Sequence, residues 1–389
     1  MKRFSFTAIS GAAFLMATSA IGPGFINNTT KFTQQLTAGF GFVILISVLL
    51  DIIVQLNLWR IITVHGDYAQ NIANKHFPGT GYLLILLVSV GGFIFNIGNI
   101  AGCALGLQVL FGMNLGPAAM ISAAIAILLF VFKQAGKTMD WFTRILGMLM
   151  ILLTFYVCMA SKPDLSIAVQ KTFLPDMIDW KIILTIVGGT VGGYISFAGA
   201  HRLIDSGVHG KENLPRVSRG AVSGIIITSL MRYVLFLAVL GVVMNGVLLN
   251  EQNPARTVFE AAAGTTGLKL FGLVLWSAAI TSVVGSAFTS VSFLQSLHPV
   301  LQKKKNKVTI LFISLSALAF IYFGQPSKIL VFAGAFNGII LPVSLLIMLL
   351  ISYRSRNVEY RHPAWLTVSG WAVVLVLLYM SMITLIALF

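Results

Sequence analysis

The sequence predicts an all-α integral membrane protein with about eleven transmembrane helices. Of its 389 residues, 57% are hydrophobic and 10% are charged, whereas a soluble domain carries about 25% charged residues. Apolar segments of about 20 residues recur along the whole chain, and each is long enough to cross about 30 Å of hydrocarbon as a helix. A helix satisfies its own backbone hydrogen bonds in lipid, so a helical fold is expected throughout.

The apolar segments leave no room for a soluble domain. The predicted spans are residues 4–25, 39–61, 81–111, 114–133, 142–160, 181–201, 220–246, 267–297, 308–324, 329–352 and 364–388. The sequence has no phosphate-cradling loop, zinc-ligand spacing or nucleophile motif, so neither an enzyme nor an ATP-driven pump is expected.

Positive charge dominates the sequence, with a net charge of +15 at pH 7. A basic chain can bind nucleic acid, but membrane proteins also collect Lys and Arg in their cytoplasmic loops. Most of the 26 Lys and Arg residues fall in predicted cytoplasmic segments when the N-terminus is placed inside. We therefore predict an inner-membrane protein with its N-terminus in the cytoplasm and its C-terminus outside. Its expected partners are the lipid bilayer and a small solute, with no nucleic acid and no obligatory protein partner.

Glycine interrupts two predicted spans, the first at residues 22–24 and the sixth at residues 188–193. A glycine inside a helix costs about 1 kcal/mol relative to alanine, so these positions need an explanation. Discontinuous helices at matching places in two halves indicate a binding site near the bilayer midplane. The alternative is that the glycines allow neighbouring helices to pack closely.

The two breaks lie five predicted spans apart and divide the chain into two blocks of five. An odd number of spans inserts the second block in the opposite orientation, which is the arrangement of an inverted repeat. We predict a first repeat over residues 1–161, a second over residues 162–352, and an additional C-terminal helix within residues 353–389.

Four segments resemble the Nramp family of metal-ion transporters, and the resemblance covers nearly the whole chain. The segments are Gly22-Pro23-Gly24-Phe25, Asn99–Leu105, Ile186–Val191 and Leu341-Pro342. The resemblance implies the five-plus-five inverted-repeat fold of the amino acid, polyamine and cation transporters, with discontinuous helices 1 and 6. It also implies that the substrate is a divalent metal ion.

The side chains that bind metal in the family differ in this sequence. The family holds its metal with an Asp and an Asn of the first span and with an Ala carbonyl and a Met sulfur of the sixth. The matching positions in this chain are Gly22, Phe25, Gly189 and Gly192. None of these side chains can coordinate a cation. The third-span carboxylates that the family uses for proton movement match Asn96 and Asn99.

Two charged side chains lie near the middle of predicted spans, Asp51 in the second and Arg232 in the seventh. A charge at that depth costs from about 3 to more than 10 kcal/mol, so each needs a partner or an aqueous cavity. Either the two side chains form a buried ion pair, or Arg232 holds a carboxylate-bearing substrate through a bidentate contact. Asp51 is also a candidate proton carrier.

Several uncharged polar residues near the breaks have two possible roles. Tyr194 and Asn337 either contact the solute or form hydrogen bonds between helices. The polar run over residues 27–30 follows the first break. It either presents a half-helix N-terminus to an anion or lines an aqueous exit.

These observations together predict a secondary transporter that moves a small carboxylate or amino-acid-like solute by alternating access. The predicted solute-binding residues are Gly22, Gly24, Phe25, Gly189, Gly192, Tyr194, Arg232 and Asn337, and the coupling candidates are Asp51, Asn96 and Asn99. No cofactor is expected other than a coupling ion, either H⁺ or Na⁺. Two alternatives stay open: a transporter of divalent metal cations, and a channel or transport-inactive scaffold.

Overall fold

The computed structural model describes residues 20–131, 135–354 and 360–386, which are helical and contain no β-strand. The α-helices in these ranges are α1 Pro23–Leu36, α2 Phe40–His65, α3 Ala69–His76, α4 Thr80–Phe111, α5 Leu115–Val131, α6 Ala135–Ser161, α7 Leu165–Phe173, α8 Trp180–Thr190, α9 Tyr194–Asp205, α10 Leu214–Met244, α11 Pro254–Leu294, α12 Pro299–Lys303, α13 Lys305–Phe323, α14 Pro326–Arg354 and α15 Ala364–Ile386. The predicted all-α class is confirmed for this part of the chain.

The long helices are apolar enough to cross a membrane. Within the described ranges, eight helical segments have the required length and composition, or nine if the bent pair α6 and α7 forms one span. Each predicted span from the second to the eleventh overlaps a described helix or, for the sixth, the pair α8 and α9. Most of the predicted first span lies outside the described residues, so the total of about eleven stays a prediction.

The segment after the first break differs from the prediction. We expected the first span to end at residue 25, but α1 begins at Pro23 and continues to Leu36. The polar run over residues 27–30 is buried inside this helix. Asn27 and Asn28 donate side-chain hydrogen bonds to backbone carbonyl oxygens of α14, at 3.4 and 3.5 Å. Because residues 27–30 are buried inside α1 and both amide nitrogens donate to α14, the polar run is neither a helix N-terminus nor an exposed exit segment.

The helix α11 also begins earlier than predicted, at Pro254 and not at residue 267. The Asn253 side chain caps it by accepting a hydrogen bond of 3.2 Å from the Arg256 backbone N–H, and proline is favoured at the first helical position. A kink at Gly264, where φ is +62°, separates this N-terminal extension from the apolar part of the helix.

The predicted break in the sixth span is confirmed. The helix α8 ends at Thr190 and α9 begins at Tyr194. Between them Gly193 adopts φ +52°, a left-handed conformation that glycine accepts without strain. A Cβ atom at Gly193 would also lie 1.7 Å from the Asn337 Oδ1 atom of α14. Conformation and space therefore both require glycine at this position.

Close backbone contact holds α8 against α14. A Cβ atom on Gly188 would lie 2.1 Å from the Gly334 carbonyl oxygen and 2.2 Å from the Gly338 backbone nitrogen. Small residues allow this approach between helices in a membrane. Part of the glycine-rich sequence at the sixth span thus serves packing, as the alternative explanation proposed.

The second half of the broken helix is anchored on α2. The Trp59 indole nitrogen donates a hydrogen bond of 2.9 Å to the Ser196 carbonyl oxygen of α9. A Cβ atom on Gly199 would lie 2.2 Å from the Trp59 ring. Because Trp59 is fully buried, the indole fixes the position of α9 relative to α2.

A hydrogen-bond network ties the segment before α15 to α2 and α10. Arg60 donates to the Tyr360 hydroxyl at 3.0 Å and to the Ser218 hydroxyl at 2.7 Å. The two ring nitrogens of His362 contact the Tyr360 hydroxyl at 3.1 Å and Asn57 Oδ1 at 2.8 Å. Asn57 Oδ1 only accepts, so His362 donates through Nε2. When the imidazole is neutral, its Nδ1 atom accepts from the Tyr360 hydroxyl.

The network predicts a loss of stability in acid. Burial and the nearby Arg60 charge lower the pKa of His362 to about 4, from 6.5. The unfolded chain therefore binds a proton at this residue before the folded protein does. The contribution of His362 is complete above pH 6.5 and is lost as the pH falls towards about 4. Acidification from about pH 7.5 to about pH 5 should lower the unfolding midpoint of the wild type more than that of His362→Gln, measured by tryptophan fluorescence in detergent. Equal decreases would contradict the assignment.

Candidate solute-binding site

Two half-helices begin in the interior of the protein, and neither has a side-chain cap. The helix α1 follows the N-cap residue Gly22, and α9 follows the N-cap residue Gly193. The first backbone N–H groups of a helix have no acceptor within the helix. Together they give each N-terminus a partial positive charge, so both breaks favour a negatively charged group.

The charged cluster consists of Phe25, Asp51, Thr190 and Arg232, all buried. These residues come from α1, α2, the last position of α8 and the middle of α10. The Arg232 guanidinium donates a hydrogen bond of 2.9 Å from Nη1 to the Thr190 hydroxyl. Its central carbon lies 4.5 Å from the centre of the Phe25 ring, a cation–π contact. The cluster thus joins Arg232 to both breaks.

Asp51 and Arg232 attract each other, but they do not form the direct ion pair that we considered from the sequence. Over the described residues, no Arg232 nitrogen forms an ion pair within 4.0 Å of an Asp51 oxygen. Within the described part of the chain, both Asp51 oxygens and Arg232 Nε have no hydrogen-bond partner. Thr190 lies beside Asp51, but its hydroxyl donates to the Ile186 carbonyl oxygen at 2.8 Å. An acidic and a basic side chain are therefore buried in one cluster without direct contact.

The amide–hydroxyl cluster consists of Asn96, Asn99, Ser286 and Ser316, which are fully buried. Asn96 donates to the Ser316 hydroxyl at 3.1 Å and accepts from the Ser286 hydroxyl at 2.7 Å. Asn99 donates to the Ser286 hydroxyl at 3.4 Å. This cluster joins α4, α11 and α13 by neutral hydrogen bonds, and an amide does not change its charge near neutral pH.

Asn99 connects this cluster to both breaks. A Cβ atom on Gly22 would lie 3.6 Å from Asn99 Oδ1 and 3.1 Å from Ser282 Oγ. The Tyr194 hydroxyl, at the start of α9, lies beside Asn99 and Ser286. Among the described residues, Asn99 Oδ1, Ser282 Oγ and the Tyr194 hydroxyl have no hydrogen-bond partner.

The predicted site glycines differ in their surroundings. A Cβ atom on Gly189 would meet no heavy atom within 4 Å, and one on Gly24 would meet only a Leu330 methyl at 3.9 Å. Gly192 is different, because its Cβ atom would lie 2.3 Å from the Gly188 carbonyl oxygen. Gly24 and Gly189 therefore border open space, whereas Gly192 is a packing residue.

Asn337 belongs to the framework around the site. Its amide nitrogen donates to the Gly91 carbonyl oxygen at 3.1 Å and to the Ala333 carbonyl oxygen at 2.8 Å. The bond to Gly91 joins α14 to α4, which agrees with the interhelical alternative, whereas the bond to Ala333 lies within α14. Its Oδ1 atom, beside Gly193, has no partner among the described residues.

Several of the unpartnered polar atoms in the described part of the chain lie at the breaks. A buried polar atom that lacks a hydrogen bond costs about 1–3 kcal/mol of folding free energy. The unpartnered atoms of Asp51, Asn99, Tyr194 and Arg232 therefore destabilise the folded protein. Groups of this kind often mark a functional site. The arrangement can donate hydrogen bonds to an anionic group and offer neutral oxygens to the rest of a solute.

Sequence reasoning missed Thr190, Ser282 and Ser286. Thr190 was visible inside the glycine-rich break, where it is the first side chain that can form a hydrogen bond. The two serines occupy positions four residues apart, and hence one face of α11. Ser and Thr are common in membrane helices, so neither pattern alone identifies them.

Among the residues that the structure describes, acidic and imidazole side chains do not converge at the breaks. Over residues 20–131, 135–354 and 360–386, no group of three or more His, Cys, Asp or Glu side chains has the geometry to hold a metal ion. The oxygens near the breaks come from one carboxylate, from amides, from hydroxyls and from the backbone.

The difference between the close-packed Gly192 and the open Gly189 can be tested by a matched pair of substitutions. Gly192→Ala should lower the unfolding midpoint, because overpacking against backbone costs about 1–3 kcal/mol. Gly189→Ala should leave the midpoint unchanged or raise it slightly, because its Cβ atom enters open space and alanine favours the helix. Thermal unfolding in detergent measures both variants. Equal destabilisation would show that Gly189 is a packing residue too.

Comparison with known proteins places this architecture in a family. The family model described as natural resistance-associated macrophage protein-like matches residues 13–387. The uncharacterized membrane protein YcsG of Bacillus subtilis is 55% identical over 385 residues, which cover 99% of this chain and 95% of that protein. The divalent metal cation transporter MntH of Pediococcus pentosaceus is 22% identical over 405 residues, covering 96% and 90%.

Solved structures share the fold. A manganese transporter of Eremococcus coleocola aligns with a TM-score of 0.76 at 18% identity, covering 97% of this chain and 86% of that chain. Mhp1, a nucleobase-cation-symport-1 family transporter solved with bromovinylhydantoin bound, aligns with a TM-score of 0.59 at 17% identity, covering 97% and 89%. These matches confirm the predicted inverted-repeat fold with its broken helices. The chain belongs to the Nramp family of membrane transporters.

Proposed function

We propose that this transporter moves a small carboxylate-bearing solute by secondary-active transport, with Arg232 as the anchor. The observation that carries the proposal is the state of Arg232. It is buried at the junction of both breaks, and its Nε atom has no acceptor among the described residues. A guanidinium stays charged in a protein and binds a carboxylate through two parallel hydrogen bonds.

The electrostatics of the site favour an anion. Arg232 contributes a full positive charge, and the uncapped N-termini of α1 and α9 contribute partial positive charges. A half-helix N-terminus at mid-membrane is a known binding arrangement for a substrate carboxylate in transporters of this architecture. Phe25 shields one side of the guanidinium from other ligands.

The lining supports a solute of amino-acid size. Gly24 and Gly189 leave space where a side chain would otherwise project. At the start of α9, the Tyr194 hydroxyl and the neighbouring Asn99 Oδ1 offer hydrogen bonds to a second polar group of the solute. Tilting of the half-helices about Gly22 and Gly193 would expose this site to each side of the membrane in turn. We place the protein in the inner membrane with its N-terminus in the cytoplasm.

A divalent metal ion is the second candidate. It is favoured by the family assignment and by the relatives that carry metals, the MntH of Pediococcus pentosaceus and the manganese transporter of Eremococcus coleocola. The ion would have to be held by backbone carbonyls, by Asn99 Oδ1 and by water. Fold alone does not decide between the candidates, because Mhp1 shares the architecture and was solved with an organic ligand.

Ligand-induced stabilisation distinguishes the two candidates. A ligand that binds the folded protein raises its unfolding midpoint according to its occupancy. We expect a shift with at least one member of a panel of acetate, lactate, succinate, alanine and glutamate. A shift with Mn²⁺ or Mg²⁺ alone would replace the proposal by metal transport. No shift with either panel would favour a transport-inactive scaffold, and solute flux that is independent of ion gradients would favour a channel.

Arg232→Lys tests the anchor directly. A lysine keeps the charge but cannot form the bidentate contact, so binding of the active panel member should weaken about 10- to 100-fold. The control is Arg219→Lys, the same substitution at an exposed position on the same helix, which should bind as the wild type does. An equal affinity in Arg232→Lys would remove Arg232 from the binding site.

A further inference from the structure

The charge balance of the cluster around Arg232 depends on Asp51. The two residues project from α10 and α2 into one buried region, without direct contact. Their mutual attraction acts across the remaining gap. Because the guanidinium keeps its charge, the cluster is neutral only while Asp51 is ionised.

No other described charge replaces Asp51 or Arg232 in this balance. The helices packed on α2 are chiefly α7, α8, α9, α10, α14 and α15. Of the charged groups on them, the one that acts on Asp51 is Arg232. Lys171 of α7 is paired with Asp176 at the protein surface, and Lys181 lies at the exposed start of α8. Any further charge that enters the cluster must therefore be balanced within it.

A bound carboxylate would disturb the balance. With the solute on Arg232 and Asp51 still ionised, two negative charges would share one guanidinium away from water, which is costly. One proton bound to an Asp51 oxygen restores neutrality. The proton needs no new acceptor site, because both oxygens of Asp51 lack hydrogen-bond partners among the described residues.

We propose that Arg232 exchanges its counter-ion during transport and that Asp51 carries the coupled proton. In the empty state the Asp51 carboxylate balances Arg232. When a solute carboxylate binds to the guanidinium, Asp51 takes up one proton from water, and both leave together on the other side. No covalent bond to the solute forms or breaks, and the cluster has the same net charge in both states. The inference rests on the proposed function for the nature of the solute.

Proton linkage is the first test. If about one proton binds with each carboxylate, affinity weakens about tenfold for each pH unit on the alkaline side. The experiment uses full-length protein in weakly buffered detergent with a pH-sensitive dye, and the panel member that binds best. The wild type should take up about one proton per bound carboxylate. Asp51→Asn should bind with an affinity that is independent of pH and without proton uptake. Asp176→Asn, at an exposed position, should behave as the wild type does.

Each outcome has a separate meaning. Absence of carboxylate binding by the wild type would overturn the proposed function and the exchange with it. Binding without proton uptake would overturn the exchange alone, as would proton uptake that persists in Asp51→Asn. If Asp51→Asn does not fold, Asp51→Glu should restore folding and proton uptake, and its failure to take up protons would count against the proposal.

Infrared difference spectroscopy gives a measurement that does not depend on the variant's affinity. The carbonyl band of a protonated carboxyl should appear when the carboxylate is added to the wild type. A band already present without the carboxylate near neutral pH would overturn the proposal. In proteoliposomes, an inward proton gradient should drive uptake, and a K⁺ diffusion potential should leave the rate unchanged because the loaded cluster carries no extra charge. A rate that follows the potential would contradict neutral exchange.

Discussion

Burial of the Arg232 guanidinium constrains the centre of this protein. A guanidinium stays protonated even in an apolar environment, so the surrounding helices must supply hydrogen-bond acceptors and a counter-charge. They do so from three helices around α10: the Thr190 hydroxyl at the end of α8, the Phe25 ring in the first turn of α1, and the Asp51 carboxyl of α2. Both breaks therefore contribute contacts to Arg232, Thr190 from the sixth span and Phe25 from the first.

The break in the sixth span is in turn held by contacts that only glycine permits. Gly188 and Gly334 bring the backbones of α8 and α14 together, and Gly193 turns the chain in a left-handed conformation beside Asn337. Gly189, one residue before Thr190, faces open space. Packing and binding were competing explanations for this glycine-rich stretch, but they apply to different residues within it. The close-packed glycines fix the frame, and the open one leaves room beside the charge.

The long helices, both breaks and the two central charges could be predicted from the sequence. Long apolar segments match the thickness of a bilayer, whereas glycines and charges within such a segment are unfavourable and therefore conspicuous. It did not allow the extent of α1 to be predicted, since residues 27–30 are too polar for a hydropathy criterion. Those amides find acceptors on α14, some 300 residues away. The role of Thr190 and the gap between Asp51 and Arg232 depend on how far the helices stand apart. Neither hydropathy nor spacing determines that distance.

The amide–hydroxyl cluster limits where proton coupling can reside. By resemblance to the family, Asn96 and Asn99 stand where carboxylates move protons, yet here they form neutral bonds to serines of α11 and α13. An amide can orient a solute, but it cannot gain or lose charge in the physiological range. A carboxyl group can, and Asp51 of α2 has both of its oxygens unpartnered among the described residues. Under the proposed exchange, the coupling site would move from α4 to the pair of α2 and α10. In the described part of the chain, the charge that would be balanced by such a carrier is Arg232.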